Sequence, residues 1–174
     1  MAKRRGNRKA GIIISILGAA VLGLVIGIML YNDPGTPLPA PAEVEFNKPY
    51  DDDWGKLKTP VSHVSVEQIL VTWKGANPRV TPKDPERTEE EAHKLIVQLW
   101  NRYKNQPDRD NFKRMQEGYN EDSQVHNVYG VPNPQGQQYV KPFTDCAKST
   151  DEGFARIVKS EFGYHLIRRL KQGE

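Results

Sequence analysis

Near the C-terminal end, the stretch EFGYHLIRRL (residues 161–170) sets a single histidine, His165, between a tyrosine and a leucine in a run with strand character. An imidazole in that setting is either a packed side chain satisfied by one or two neighbours or part of a site, and the residues alone favour the packed reading. The chain's other reactive groups assemble no known catalytic set. His63, His93 and His126 have no ligand spacing with one another or with Cys146, so no metal site is expected. Cys146, the only cysteine, reads as a small buried filler and permits no intrachain disulfide. Nothing matches a phosphate-binding glycine loop, a zinc-protease helix or a nucleophile elbow, and no cofactor is called for.

The elements around His165 follow from local pattern. VSVEQILVTW (64–73) is rich in β-branched and aromatic residues and reads as a first strand, broken by Gly75-Ala76-Asn77-Pro78. Thr88 with Glu91 three residues on is a capping box, and the acids favour the positive end of a helix dipole. Behind it Ala92, Leu95, Ile96, Leu99, Trp100 and Tyr103 fall on one helical stripe. A second helix is expected after Asp110, with Phe112, Met115 and Tyr119 on one side. Residues 130–136 read as loop, QQYV (137–140) as a short strand, PFTDCAK (142–148) as a helical turn or two, and ARIVK (155–159) and YHLIRRL as strands joined at Glu161-Phe162-Gly163. The order β, α, α, short β, short α, β, β makes an α+β domain with a small antiparallel sheet flanked by helices.

The N-terminal third differs in texture. Ala10 to Tyr31 contains no charged side chain, and Gly11 to Leu30 alone gives 20 residues, enough at about 1.5 Å each to cross about 30 Å of hydrocarbon. The run is too long for a signal-peptide core, and the A-x-A pattern at Ala40-Pro41-Ala42 lies well beyond it, so an uncleaved transmembrane anchor over 11–31 is expected. Lys3, Arg4, Arg5, Arg8 and Lys9 precede the anchor without an acid among them, which places the 1–10 tail in the cytoplasm and the rest outside it, periplasmic in a two-membrane bacterium. With five of the 25 Lys and Arg in that tail, 20 remain against 22 Asp and Glu. The basic pI thus reports topology, and no nucleic-acid partner is expected. Ala19, Gly23 and Gly27 form a small-residue ridge open to a helix partner in the membrane. Residues 32–62, with Pro34, Pro37, Pro39, Pro41 and Pro49 and the acidic DDDW at 51–54, read as a tether with Trp54 free to dock, leaving 63–174 as the domain.

Taken with that order, five words of the sequence carry a family resemblance: QILVTW in the opening strand, TEEEAHKLIVQLWNRYK in the long helix, NFKRMQEGYNEDS in the next helix and its exit, KPF before the short helix, and KSEFGYHLIRRL in the closing hairpin. Over residues 64–171 the chain resembles the parvulin family of peptidyl-prolyl cis-trans isomerases, with the FGYH-L-I ending the most specific piece. The resemblance places His165 on the family's last-strand histidine, Asp122 on its central acidic or thiol position, and Ser160 on a hydroxyl beside them. It places the proline-cradling apolar positions on Val131, Tyr139, Phe143 and Phe162. Two positions depart: the family's first-strand histidine is Gln68 here, and its glycine-rich G-D-L-G turn is replaced by Tyr129-Gly130-Val131-Pro132. In the first loop, where some parvulins read a phosphate, Asp84 and Glu86 dilute Lys74, Arg79, Lys83 and Arg87, so a peptide rim without phosphate selectivity is expected.

The implied chemistry is rotation about an X-Pro bond, whose barrier of about 18 to 20 kcal/mol comes from amide resonance. It needs no nucleophile, only an apolar socket and hydrogen bonds that suit the twisted amide better than the planar one. A thousandfold gain asks for about 4 kcal/mol of such preference. Gln68 still donates and accepts, so it can replace a histidine in a network, but it cannot titrate. The reading is a membrane-tethered, extracytoplasmic isomerase acting on proline-containing segments of exported proteins. The alternative is a catalytically degenerate parvulin-fold module for peptide binding or membrane-complex assembly.

Overall fold

The structure, a computed structural model, describes residues 50–124, 127–136 and 138–174. Its elements are β1 (Val64–Val71), α1 (Glu89–Asn105), α2 (Arg109–Tyr119), β2 (Tyr129–Val131), α3 (Lys141–Lys148), β3 (Ala155–Ser160) and β4 (Gly163–Arg169). The strands form one antiparallel sheet in the order β2-β1-β4-β3. The α+β class and the element order agree with the sequence reading.

Strand alternation divides the side chains between two faces. Ile69, Val71, Ala155 and Leu166 face α1 and α2, where Ala92, Ile96, Leu99, Trp100, Tyr103, Phe112 and Met115 complete a buried core. Val64, Val66, Val131 and Ile167 face α3, meeting Phe143, Cys146 and Ala147. The pairs Leu70↔His165, Val158↔His165 and Gln68↔Ile167 put Gln68 and His165 on the α3 face. At the start of α1 the capping box closes as expected, with Glu91 N donating to Thr88 Oγ1 at 3.2 Å and Thr88 N to Glu91 Oε2 at 2.8 Å.

Four boundaries differ from the sequence reading. The short strand is Tyr129–Val131, not 137–140: Tyr129 and Val131 alternate inward against Val66 and Val64, whereas Val140 serves as the N-cap of α3. Gly130 and Val131 therefore belong to a strand rather than a loop. β1 stops at Val71 because the next amide, Thr72 N, donates to the Glu121 carboxylate at 2.7 Å instead of to a strand. α2 starts at Arg109, since Asp108 caps it by accepting from Asn111 N at 2.7 Å.

The fourth concerns residues 50–62, expected as tether, much of which is built into the domain. Trp54 packs against Phe154, Trp100 and Tyr103, and Tyr50 stands edge-on to Trp100. Leu57 N and Val61 N donate to Ser149 O and Lys148 O at 2.8 and 3.0 Å, and Asp52 pairs with the buried Arg156 at 2.6 Å. Two aromatic rings outweigh the proline-rich texture that precedes them. Among the described residues no helix is long and apolar enough to cross a membrane. The expected anchor at 11–31, the basic tail and the ridge of Ala19, Gly23 and Gly27 lie outside the described residues.

Candidate active site

The exit of α2 is tied to β1 by backbone-directed bonds. Gln116 Nε2 donates to Gln68 O at 2.9 Å, Asn120 Oδ1 accepts from Leu70 N at 2.8 Å, and Glu121 N donates to Leu70 O at 2.9 Å. Asn120 Oδ1 also receives Asp122 N at 3.2 Å, which turns the next carboxylate toward the sheet. Glu121, its side chain only 1% exposed, takes Arg87 Nη1 at 2.7 Å, Lys83 N at 2.8 Å and Thr72 N at 2.7 Å, pinning the loop that follows β1. These anchors bring Asp122 against Gln68, a residue 54 positions earlier.

From there a continuous hydrogen-bonded chain crosses the α3 face. Gln68 Nε2 donates to Asp122 Oδ2 at 2.6 Å, His165 Nδ1 stands 2.7 Å from Gln68 Oε1, and Ser160 Oγ stands 2.6 Å from His165 Nε2. The directions are set by chemistry. A carboxylate only accepts, so Gln68 turns its NH2 to Asp122 and its carbonyl to His165; that carbonyl only accepts, so His165 Nδ1 carries a proton. Burial holds the imidazole neutral, lowering its pKa to about 4. Nε2 is then the acceptor for the Ser160 hydroxyl, whose own oxygen accepts from Phe162 N at 3.1 Å. His165 is thus both packed, at 4% exposure, and a member of a polar chain that ends on a half-buried carboxylate.

A second donor reaches the same carboxylate oxygen: Tyr129 OH lies 2.5 Å from Asp122 Oδ2. Burial, and then the bond to Asp122, push the phenol well above its ordinary pKa, so it remains a donor. Its ring begins an aromatic wall with Tyr139 and Phe143, the three centroids 5.2 to 5.9 Å apart, and Phe143 continues to the His165 ring at 5.8 Å. Tyr129, Tyr139 and Asp122 line an open cleft of about 440 Å³ together with Asn127, Asn133 and Gln135. Gly130 also lines it; a Cβ there would come within 3.0 Å of Pro134.

Of the residues singled out in the sequence, Gln68, Asp122, Ser160 and His165 come together in one chain, and Val131, Tyr139 and Phe143 share the adjoining apolar cluster. Phe162 lies outside that cluster and reaches the site through its backbone amide. Val131 and Phe143 are 1% and 3% exposed and do not line the cleft; Phe143 packs behind Tyr129 and Tyr139, which do. Tyr129 is the residue that sequence reasoning did not assign to the site. Its signal was the replaced turn, where a glycine position holds a phenol. The basic rim is largely engaged internally: Lys74 pairs with Glu86 at 2.7 Å, Arg87 with Glu121, and Lys83 Nζ donates to Gly118 O at 2.8 Å.

Comparison with known proteins places this geometry. The fold is similar to that of the peptidyl-prolyl isomerase ESS1 from Candida albicans, with a TM-score of 0.51 at 17% identity over 63% of this chain and 63% of that one. The chain therefore spans about 63% of the length of that solved relative. It also matches a structure from the pair PEB4 and Cj1289, SurA-like chaperones of Campylobacter jejuni, at 21% identity and a TM-score of 0.41, over 91% of this chain and 56% of that one. No curated protein sequence matches. Residues 54–172 match the model of the PPIC-type PPIase domain, a span that opens at the docked Trp54 and closes after β4. The chain belongs to the PPIC-type peptidyl-prolyl cis-trans isomerase, or parvulin, family.

Proposed function

We propose that the domain catalyses cis-trans isomerisation of X-Pro bonds in polypeptides. The observation that carries this reading is the chain from Ser160 to Asp122, which fixes a carboxylate and the Tyr129 phenol at the edge of an aromatic-walled cleft. The substrate's proline ring lies against Tyr139 and the aromatic cluster above Phe143 and Val131. Asp122 and Tyr129 face the twisting amide and its neighbours. Gln68, His165 and Ser160 sit behind them as positioning residues, holding the carboxylate in one orientation so that no reorganisation is needed as the amide rotates. Tethering by residues 11–31, with the domain outside the cytoplasm, completes the proposal. Its support is the uncharged apolar run behind five cations.

A second reading, a binding module without turnover, draws on one observation. Val131 and Phe143 are almost wholly covered, so a proline ring meets tyrosines rather than an open apolar socket. Exchange NMR on X-Pro tetrapeptides with the full chain in an uncharged detergent separates the two. Acceleration that Asp122→Ala, His165→Ala and Phe143→Ala remove, with each variant still folded, supports the enzyme. A folded wild type that binds peptide without acceleration supports the module. Topology is read by Gly173→Cys with a membrane-impermeant thiol reagent on intact cells, since Cys146 is buried. Labelling only after lysis refutes the extracytoplasmic placement.

A further inference from the structure

We infer that this site selects prolines flanked by a cationic side chain, Arg or Lys, and disfavours acidic or phosphorylated neighbours. The inference rests on the isomerase reading and specifies its substrate class. Both internal donors to Asp122, Gln68 Nε2 at 2.6 Å and Tyr129 OH at 2.5 Å, converge on Oδ2. Among the described residues, Oδ1 has only the adjacent Ser123 hydroxyl at 3.4 Å, at the outer limit of a hydrogen bond. A half-buried carboxylate that turns two strong donors onto one oxygen and, among the described residues, one long bond onto the other has room for a substrate donor, and a guanidinium or ammonium suits it best.

The surroundings bias the cleft the same way. Among the described residues that line it, Asp122 is the one that carries a charge; the others are amides, a hydroxyl, tyrosines and apolar groups. Three of the four rim cations are engaged within the protein. Lys83 and Arg87 are spent on Gly118 O and Glu121, and Lys74 on Glu86. Beyond Tyr139, Lys141 pairs with Asp145. An anionic neighbour would face the Asp122 carboxylate with no cation among the described lining residues, whereas a cationic one is attracted and hydrogen-bonded.

The test measures kcat/KM by exchange NMR for the full chain in uncharged detergent, on peptides in which the residue before or after proline is Arg, Ala, Glu or phosphoserine. At low ionic strength Arg at one flank is expected to exceed Glu at that flank about tenfold, and the ratio is expected to shrink with added salt. Gln124→Lys, a substitution on the exposed cleft rim, is expected to lower the Arg:Glu ratio by several-fold. Rates independent of charge at both flanks, or a preference for Glu or phosphoserine, overturn the inference while leaving the isomerase reading intact. Absence of acceleration on every peptide refutes the isomerase reading instead, and peptide affinities measured on the same set then decide the charge preference alone.

Discussion

His165 Nδ1 stands 2.7 Å from Gln68 Oε1, and this contact fixes the imidazole as its Nδ1–H tautomer. The cause lies one residue away, because Asp122 claims the amide NH2 and leaves only the carbonyl for His165. In 15N spectra at pH 7, His165 is expected to be neutral with Nδ1 protonated. Gln68→Leu removes both bonds, strands buried polar groups, and is expected to cost about 1 to 3 kcal/mol with loss of the single tautomer. Gln68→His is expected to retain most of the stability, since an imidazole can donate at one nitrogen and accept at the other. An Nε2–H tautomer in the wild type would contradict this wiring.

The depressed pKa of His165, about 4, makes stability depend on pH in a defined direction. Above the unfolded-state value of about 6.5 both states are neutral and nothing is lost. As pH falls toward 4 the unfolded chain takes up a proton that the folded chain refuses, so stability declines by up to about 3 kcal/mol. Urea unfolding of wild type and His165→Gln between pH 7.5 and 4 checks this. The difference between the two is expected to narrow across that window, because only the wild type loses the histidine contribution. Parallel curves would mean that His165 titrates normally.

Tyr129→Phe keeps the ring packed on Tyr139 and Phe143 but removes the donor to Asp122. The carboxylate is half-buried and water can replace the phenol, so stability is expected to change by no more than about 1 kcal/mol. Activity is expected to fall about tenfold, the loss of about 1.4 kcal/mol of transition-state preference. Peptide exchange rates and a urea midpoint on the same protein separate the two effects.

What was legible beforehand divides by sequence separation. The capping box, the apolar stripe of α1 and the closing hairpin were readable because their partners lie a few residues apart. The Gln68, Asp122 and His165 set became readable through family resemblance; distance in the chain gives no local cue that residues 68 and 165 touch. Tyr129 and β2 were missed for a related reason. A three-residue strand has too few positions to show alternation, and its partner Val64–Val66 is more than 60 residues away. The docking of 50–61 was masked by proline and aspartate texture, although Tyr50 and Trp54 supplied the apolar area that decides it.

That docking predicts where the domain begins. A fragment starting at Tyr50 retains the Trp54 contacts with Trp100 and Phe154, centroids 5.6 and 4.7 Å apart, and the partner of Arg156. A fragment starting at Ser62 uncovers those rings and leaves a 7%-exposed guanidinium side chain without Asp52. It is expected to be less stable by about 3 kcal/mol or more. Gly55→Ala tests the same junction in the full chain: φ is +71° and the new Cβ would lie 2.3 Å from Phe154 Cβ. Equal urea midpoints for the two fragments would show the segment to be dispensable.

Glu121 offers the sharpest test of how the site is held. Its carboxylate satisfies Thr72 N, Lys83 N and Arg87 Nη1 with side-chain exposures of 1% for Glu121 and 11% for Arg87. Glu121→Ala leaves two backbone donors and a largely buried cation without their acceptor, so a loss of about 3 to 5 kcal/mol is expected. Arg87→Met is expected to cost less than Glu121→Ala, because Glu121 keeps two amide donors. The double variant is expected to lose less than the sum of the singles, which a double-mutant cycle in urea reads directly. Because Asp122 follows Glu121 in the chain, Glu121→Ala is also expected to reduce isomerase activity under conditions where the protein remains folded. Arg87→Met, with the Glu121 carboxylate still accepting from Thr72 N and Lys83 N, is expected to spare most of it. Equal activity losses in the two variants would place the anchor in the ion pair rather than in the carboxylate's hold on Thr72 N and Lys83 N.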